Sequence, residues 1–165
     1  MVVMIITIHK ASILNENCDA ILCPANSSGF MGGGVAAVIK QVGGQEIEDE
    51  AISEAPINVG KAVATCAGVL RCKHIIHAPT MEMPGERSDE TKVKHALEAA
   101  LELAEELNLH VLAIPGMGTG IGGLDKEESA KAMIQVLKEH RAEALEEVVL
   151  VDVDEDMVKA WEKYR

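Results

Sequence analysis

The sequence predicts an α/β fold in which helices cover both faces of a central sheet, and three observations predict it. Short apolar segments rich in valine, isoleucine and alanine alternate with amphipathic ones along the 165 residues. The central apolar segments are nearly continuous, as strands buried on both faces are. Two glycine-rich stretches each follow such a strand and lead into a helix. In open α/β sheets, ligands bind at that kind of strand end.

Taken in order, the run MVVMIITI gives a first strand at Val2 to Ile8. It is too short to cross a bilayer and carries no basic leader or small-residue cleavage site, so it reads as an edge or core strand of a cytoplasmic protein. A strand at Ala20 to Cys23 follows, then helices at Val35 to Gln41 and Gln45 to Ser53. Strands at Ala62 to Ala67 and His74 to His77 come next. The clearest helix is SDETKVKHALEAALELAEEL, where Val93, Ala96, Leu97, Ala100, Leu101, Ala104 and Leu107 form one buried stripe and Ser88 or Asp89 is the N-cap. A strand at Val111 to Ile114, a helix at Lys126 to Glu139, a strand at Val148 to Val151 and a helix at Asp156 to Lys163 complete the chain. No internal repeat or low-complexity linker divides it, and the length suits one well-cored domain over residues 1–165.

Composition narrows the partners. The net charge of −12 argues against nucleic acid, which needs clustered lysine and arginine, and the acidic runs read as solvated helix faces. A small phosphate-bearing ligand is still compatible, because backbone amides and helix N-termini hold phosphate without basic side chains. With Phe30, Trp161 and Tyr164 the only aromatics, the core must be aliphatic and no base-stacking platform is available. Cys18, Cys23, Cys66 and Cys72 form no CxxC pair and read as buried thiols, not a disulfide scaffold. His74 and His77 project to opposite faces of one strand, so neither a structural metal nor a resident cofactor is expected.

The glycine stretches carry the chemistry. CPANSSGFMGGGVAA places Gly32, Gly33 and Gly34 together after the second strand, and IPGMGTGIGGLDKEE places Gly116, Gly118, Gly120, Gly122 and Gly123 after a later one. Amides converge on an anion only where no side chains intervene, and glycine admits the positive φ angles that turn successive N–H groups inward. Two such loops facing one cleft would wrap an anion such as a diphosphate. GTGIGG also satisfies G-x-G-x-x-G, which admits a nicotinamide-dependent oxidoreductase as an alternative. That motif normally opens its fold, however, and the reading leaves NSSGFMGGG unexplained.

At these residues the chain resembles the macrodomain family, of the type that processes ADP-ribose-1″-phosphate. The resemblance rests on DAILCPANSSGFMGGGVAAVIKQVGG, KHIIHAPT and LAIPGMGTGIGG, in order and over almost the whole chain. It implies a three-layer α/β/α sandwich with a mixed, mostly parallel sheet. It also implies binding of ADP-ribose or a derivative, an ADP-ribosylated protein as a candidate partner, and in some members hydrolysis of ADP-ribosyl or ADP-ribose-phosphate linkages. By position, Ala25 and Asn26 meet the distal ribose, with Asn26 the tentative catalytic residue. Gly32, Gly33, Gly34 and Val35 line that ribose and the diphosphate, while Gly118, Thr119, Gly120, Ile121 and Gly122 cradle the diphosphate. For Asn26 the plain alternative is a turn residue bonding its own backbone.

The chain also departs from the family's pattern. Ser12, followed by Ile13, falls where the family's adenine-binding aspartate stands, and a hydroxyl lacks the charge that strengthens such a bond. Asp152 or Asp154 would substitute only if they are more than surface acids or a helix cap, which is the reading preferred here. Ala36 or Ala37 stands where hydrolysing members place an aspartate, Met31 where some relatives carry a histidine, and no aromatic lies near Gly122. No carboxylate in either loop is placed as a general base, so hydrolysis would rest on a water held by Asn26 and the ligand's diphosphate. A vestigial pocket serving only protein interaction is a third reading.

Overall fold

A computed structural model describes residues 2–165; Met1, which the expected span 1–165 includes, lies outside the described residues. The strands are β1 (Ile5–Lys10), β2 (Ala20–Asn26), β3 (Val63–Cys66), β4 (His74–Met81), β5 (Val111–Ile114) and β6 (Glu147–Asp152). The helices are α1 (Gly34–Gly43), α2 (Gln45–Ser53), α3 (Glu90–Glu106), α4 (Lys126–Glu139) and α5 (Glu155–Tyr164). They form one six-stranded sheet in the order β1-β6-β5-β2-β4-β3, parallel throughout except for the antiparallel β3 edge. The architecture is thus a three-layer α/β/α sandwich on a mixed sheet.

The two faces of the sheet differ. Residues of α3, α4 and α5 pack on one face in a large aliphatic core around Leu97, Leu101, Met133, Leu150 and the fully buried Trp161. Residues of α1 and α2 pack on the other in a smaller core around Ile21, Ile39, Ile47 and Ile75. The second face also buries polar groups. His77, wholly buried on β4, shares its Nε2 with Thr65 Oγ1 at 2.9 Å. Burial depresses its pKa to about 4, against a weaker opposing pull from Glu50.

Helix punctuation explains the boundaries that matched expectation. Asp89 caps α3 by accepting from Lys92 N–H and Asp125 caps α4 by accepting from Glu128 N–H, so each helix starts at its acid. Ser88 is not the cap, since its hydroxyl donates to the Thr80 carbonyl. Leu107 lies past the end of α3 and is partly exposed, whereas the other six stripe residues are buried.

Strand ends depart from expectation for a physical reason. β2 runs three residues past Cys23 and β4 four past His77, through Pro24 and Pro79. Proline stops a central strand because it cannot donate to the ladder. β5, however, pairs only with Ala20 and Ile21, so beyond that point β2 has a single neighbour, β4, and an open side. β1 begins later than Val2 and ends later than Ile8 because its partner β6 spans Glu147 to Asp152. The cysteine expectation is also corrected: Cys23 is buried, while Cys18, Cys66 and Cys72 are each half-buried. No helix among the described residues is long and apolar enough to cross a membrane.

Candidate functional site

Because β2 and β5 are parallel neighbours, their carboxyl ends deliver both glycine stretches to the same edge of the sheet. Loop one (residues 27–33) links β2 to α1, and loop two (residues 115–125) links β5 to α4. Between them lies a cleft of about 910 Å³, within the range of roughly 300–1,000 Å³ common for small-ligand sites. The loops touch across it: a Cβ built on Gly33 would lie 2.9 Å from Ile121 Cδ1.

Each loop is held from behind by a carboxylate. Glu48, buried on α2, accepts from Met31 N–H at 2.7 Å, Gln45 Nε2 at 2.7 Å and Lys40 Nζ at 3.1 Å. Burial opposes its ionisation, but these donors outweigh burial and hold its pKa below the ordinary carboxylate range. Met31, fully buried, therefore anchors loop one and does not line the cleft. On the other side Asp152 accepts from Gly116 N–H at 3.0 Å and from Asp154 N–H at 3.0 Å.

With their backs fixed, the loops present free donors to the cleft. Gly33 is the N-cap of α1 and supplies no side chain, so the first helical N–H groups have no capping acceptor. Gly34 takes φ +60°, a conformation that favours glycine. In loop two, Gly123 N–H and Leu124 N–H are spent internally on the Gly120 and Gly118 carbonyls. Among the described residues, no acceptor is bonded to the N–H of Thr119, Gly120, Ile121 or Gly122. A helix N-terminus and a row of unpaired amides lining one cleft are the chemistry of a candidate anion site.

The sequence-predicted residues Ser12, Ile13, Ala25, Asn26, Gly32, Gly33, Gly34, Val35, Gly118, Thr119, Gly120, Ile121 and Gly122 all line this cleft. Asn26 is more constrained than its sequence suggests. Its Oδ1 accepts from both Ser28 N–H and Ser28 Oγ, and its Nδ2 donates to the Phe30 carbonyl at 3.1 Å. The carbonyl is thereby saturated, and one amide N–H is left for a ligand. Ser12 precedes a 3-10 turn at Ile13–Asn15, and its side chain makes no capping bond. Ile13 is buried in the smaller core, and Ala36 is buried at the cleft wall.

The acids at the end of β6 and just beyond it need one correction. Asp154 caps α5 by accepting from Asp156 N–H and pairs with Lys126 Nζ, as a cap should. Asp152 is neither a surface acid nor a cap but the brace of loop two. Sequence reading missed Phe30, Thr80, Met81, Pro84, Lys126 and Met157, which also line the cleft. Extending β4 through Pro79 would have found Thr80 and Met81.

Comparison with known proteins agrees with this fold. The chain is 55% identical over 160 residues to an uncharacterized protein of Aquifex aeolicus, covering 97% of both chains. A Trypanosoma brucei macrodomain in complex with ADP-ribose superposes with a TM-score of 0.83 at 22% identity, over 96% of this chain and 68% of that one. An Oceanobacillus iheyensis macrodomain with ADP does so with a TM-score of 0.83 at 22% identity, over 95% and 87%. At that identity the two structures establish the fold. Nothing in these likenesses favours a nicotinamide-dependent oxidoreductase. The Macro domain family model matches residues 23–133, from the end of β2 into α4 and through both loops, and the chain belongs to that family.

Proposed function

We propose that the chain binds ADP-ribose or a derivative in the cleft, with the diphosphate held by main-chain amides. The observation that carries this reading is the convergence of the uncapped α1 N-terminus and the unpaired Thr119–Gly122 amides on one space. Amides supply partial positive charge without a counter-ion, so an acidic protein of net charge −12 can hold a dianion. The Trypanosoma brucei relative crystallised with ADP-ribose supports the choice of ligand.

Asn26 donates its remaining amide hydrogen to a hydroxyl of the distal ribose, and Ser12 and Ile13 meet the adenine end. Val35 and the glycines of loop one leave room for the ribose and the diphosphate. Binding is the primary activity, for a chemical reason. Among the described residues, the carboxylates lining the cleft are Asp152, which ends β6, and Asp154, which follows it, and both accept from backbone N–H groups. Asn26 retains only a donor, which positions a water without taking its proton, so hydrolysis of an ADP-ribosyl linkage is slow and leans on the ligand's own diphosphate. An ADP-ribosylated protein is the partner class whose modification fits this cleft.

The test is calorimetric titration with ADP-ribose, NAD, AMP and ADP on the wild type and on Gly33→Glu. The expected result is ADP-ribose binding tighter than NAD or AMP, weakened at least 100-fold by the added bulk and charge at Gly33. Absence of heat with every nucleotide would overturn the reading and leave a fold whose role lies in protein interaction.

A further inference from the structure

The far end of the sheet holds a pair of cysteines that the cleft does not use. Cys18 stands two residues before β2 and Cys72 two before β4, and these strands run parallel with Ala20 opposite His74. Hydrogen bonds hold that end together: the Asp19 carbonyl accepts from Lys73 N–H at 2.8 Å and from His74 N–H at 3.3 Å. Adjacent strands lie roughly 4.7–4.9 Å apart, inside the Cα window of roughly 4.4–6.8 Å that a disulfide requires. Both side chains pack on the edge of the smaller core and both keep solvent contact.

We propose that Cys18 and Cys72 form a reversible dithiol/disulfide site that is oxidised by low-molecular-weight disulfides. The two thiols are close enough for each to be the largest influence on the other's acidity. Cys18 holds its proton, through Cys72 first and then through burial and the nearby Glu16 and Asp19 charges. Cys72 gives its proton up more readily, helped first by Cys18 and also by the N–H groups of Ile21 and its own residue. The other two thiols differ in kind. Cys23 is wholly buried and pushed up to about 12 by that burial, and Cys66 is raised by burial and by Glu50. Thiolate character decides which cysteine attacks.

The reaction balances without any other reactant. The Cys72 thiolate attacks one sulfur of the small disulfide, forming a mixed disulfide and expelling one small thiolate. Cys18 then loses its proton to solvent and attacks the Cys72 sulfur, expelling the second thiolate. Two protein thiols are oxidised to one S–S bond while the small disulfide is reduced to two thiols. The bond closes a covalent ring that contains β2, loop one, α1, α2 and β3, with the cleft at the opposite end of the strands.

The test is incubation of the whole protein with oxidised glutathione, followed by alkylation under denaturing conditions, thiol counting and peptide mapping. The expected result is a fall from four free thiols to two, one peptide pair linked through Cys18 and Cys72, and a melting temperature higher by roughly 10 °C. Cys18→Ser should stall as a mixed disulfide on Cys72, Cys72→Ser should react at least tenfold more slowly, and Cys66→Ser should behave as the wild type. Four surviving thiols at equilibrium, a different linked pair, or a wild type that stops at the mixed disulfide would each overturn the proposal. If a substituted chain fails to fold, the wild-type peptide map decides alone, and none of these readouts depends on nucleotide binding.

Discussion

Loop one and loop two are built from the same residue and owe their glycines to different causes. Gly32 and Gly34 are exposed, and a Cβ at either would meet nothing within 4 Å. Gly118 and Gly122 are buried: a Cβ at Gly118 would lie 2.8 Å from Val93 Cγ2, and one at Gly122 would lie 2.7 Å from the Gly118 carbonyl oxygen. At Gly118 and Gly122 protein fills the space that a side chain would need. At Gly32 and at Gly34, the first residue of α1, the absent side chain leaves the cleft open. The supports differ as well, since loop one rests on the face that buries Glu48, Thr65 and His77. The loop-one side should therefore respond to protons and the loop-two side to volume.

The largest expected effect is on the proton side. His77 is neutral when folded and titrates at about 4, against an ordinary 6.5. As pH falls from 6.5 toward 4 the unfolded chain takes up a proton that the folded chain refuses, so stability drops by on the order of 3 kcal/mol across that window. Urea denaturation from pH 7 to 4 should show this slope, and His77→Gln should flatten it. A slope unchanged in the variant would mean that the buried histidine is not the sensor.

Next in size is the volume side. Gly122→Ala forces a methyl against backbone and should lower stability by about 1–3 kcal/mol at any pH, read by the same denaturation. Gly32→Ala sharpens the contrast: its backbone needs no positive φ, so stability should stay within about 0.5 kcal/mol. Binding of ADP-ribose should nevertheless fall about tenfold, roughly 1.4 kcal/mol, as the methyl occupies ligand space. Equal destabilisation by the two alanines would break the comparison.

A smaller effect belongs to Glu48. Its folded pKa lies below the ordinary value, so its contribution is present above the ordinary carboxylate range and is lost as pH falls through the folded value. Glu48→Gln should cost about 1–2 kcal/mol at pH 7 and flatten the part of the acid slope below the ordinary carboxylate value of 4.5. The smallest effect is that of Asp152→Asn, which keeps an acceptor for Gly116 N–H and should change stability by only about 0.5 kcal/mol.

Legibility in the sequence follows the same division. Elements closed by local signals could be read: α2, α4 and β5 fall at their expected residues because Gly44, Asp125 and Pro115 mark their limits. Elements whose limits are set by a distant partner could not. β2 continues through Pro24 only because β5 stops pairing at Ile21, and no local pattern carries that fact. Similarly, the loop-lining residues were legible because glycine near a strand end has few uses. Asp152, which braces loop two from β6, and Cys18 with Cys72, which meet through the β2–β4 register, are tertiary relations. Asn26 lies between these cases, its place evident but the saturation of its carbonyl by Ser28 visible only in three dimensions.

The pairing of β1 with β6 sets an order of assembly. The Thr7 hydroxyl donates to the Glu147 carboxylate across 140 positions of chain, whereas β3, β4, β2 and β5 are contiguous in the sheet and all precede α4. Contacts between distant segments form late, since closing a long loop carries an entropy that short-range contacts avoid. A nascent chain can therefore hold both glycine loops on a four-stranded block before its first strand has a place to dock. The end of the cleft formed by Ser12 and Asp154 arrives afterwards, with β1 and β6. The expected assembly of the cleft is thus in two instalments, with loop one and its Glu48 support first and the Asp152 brace of loop two last.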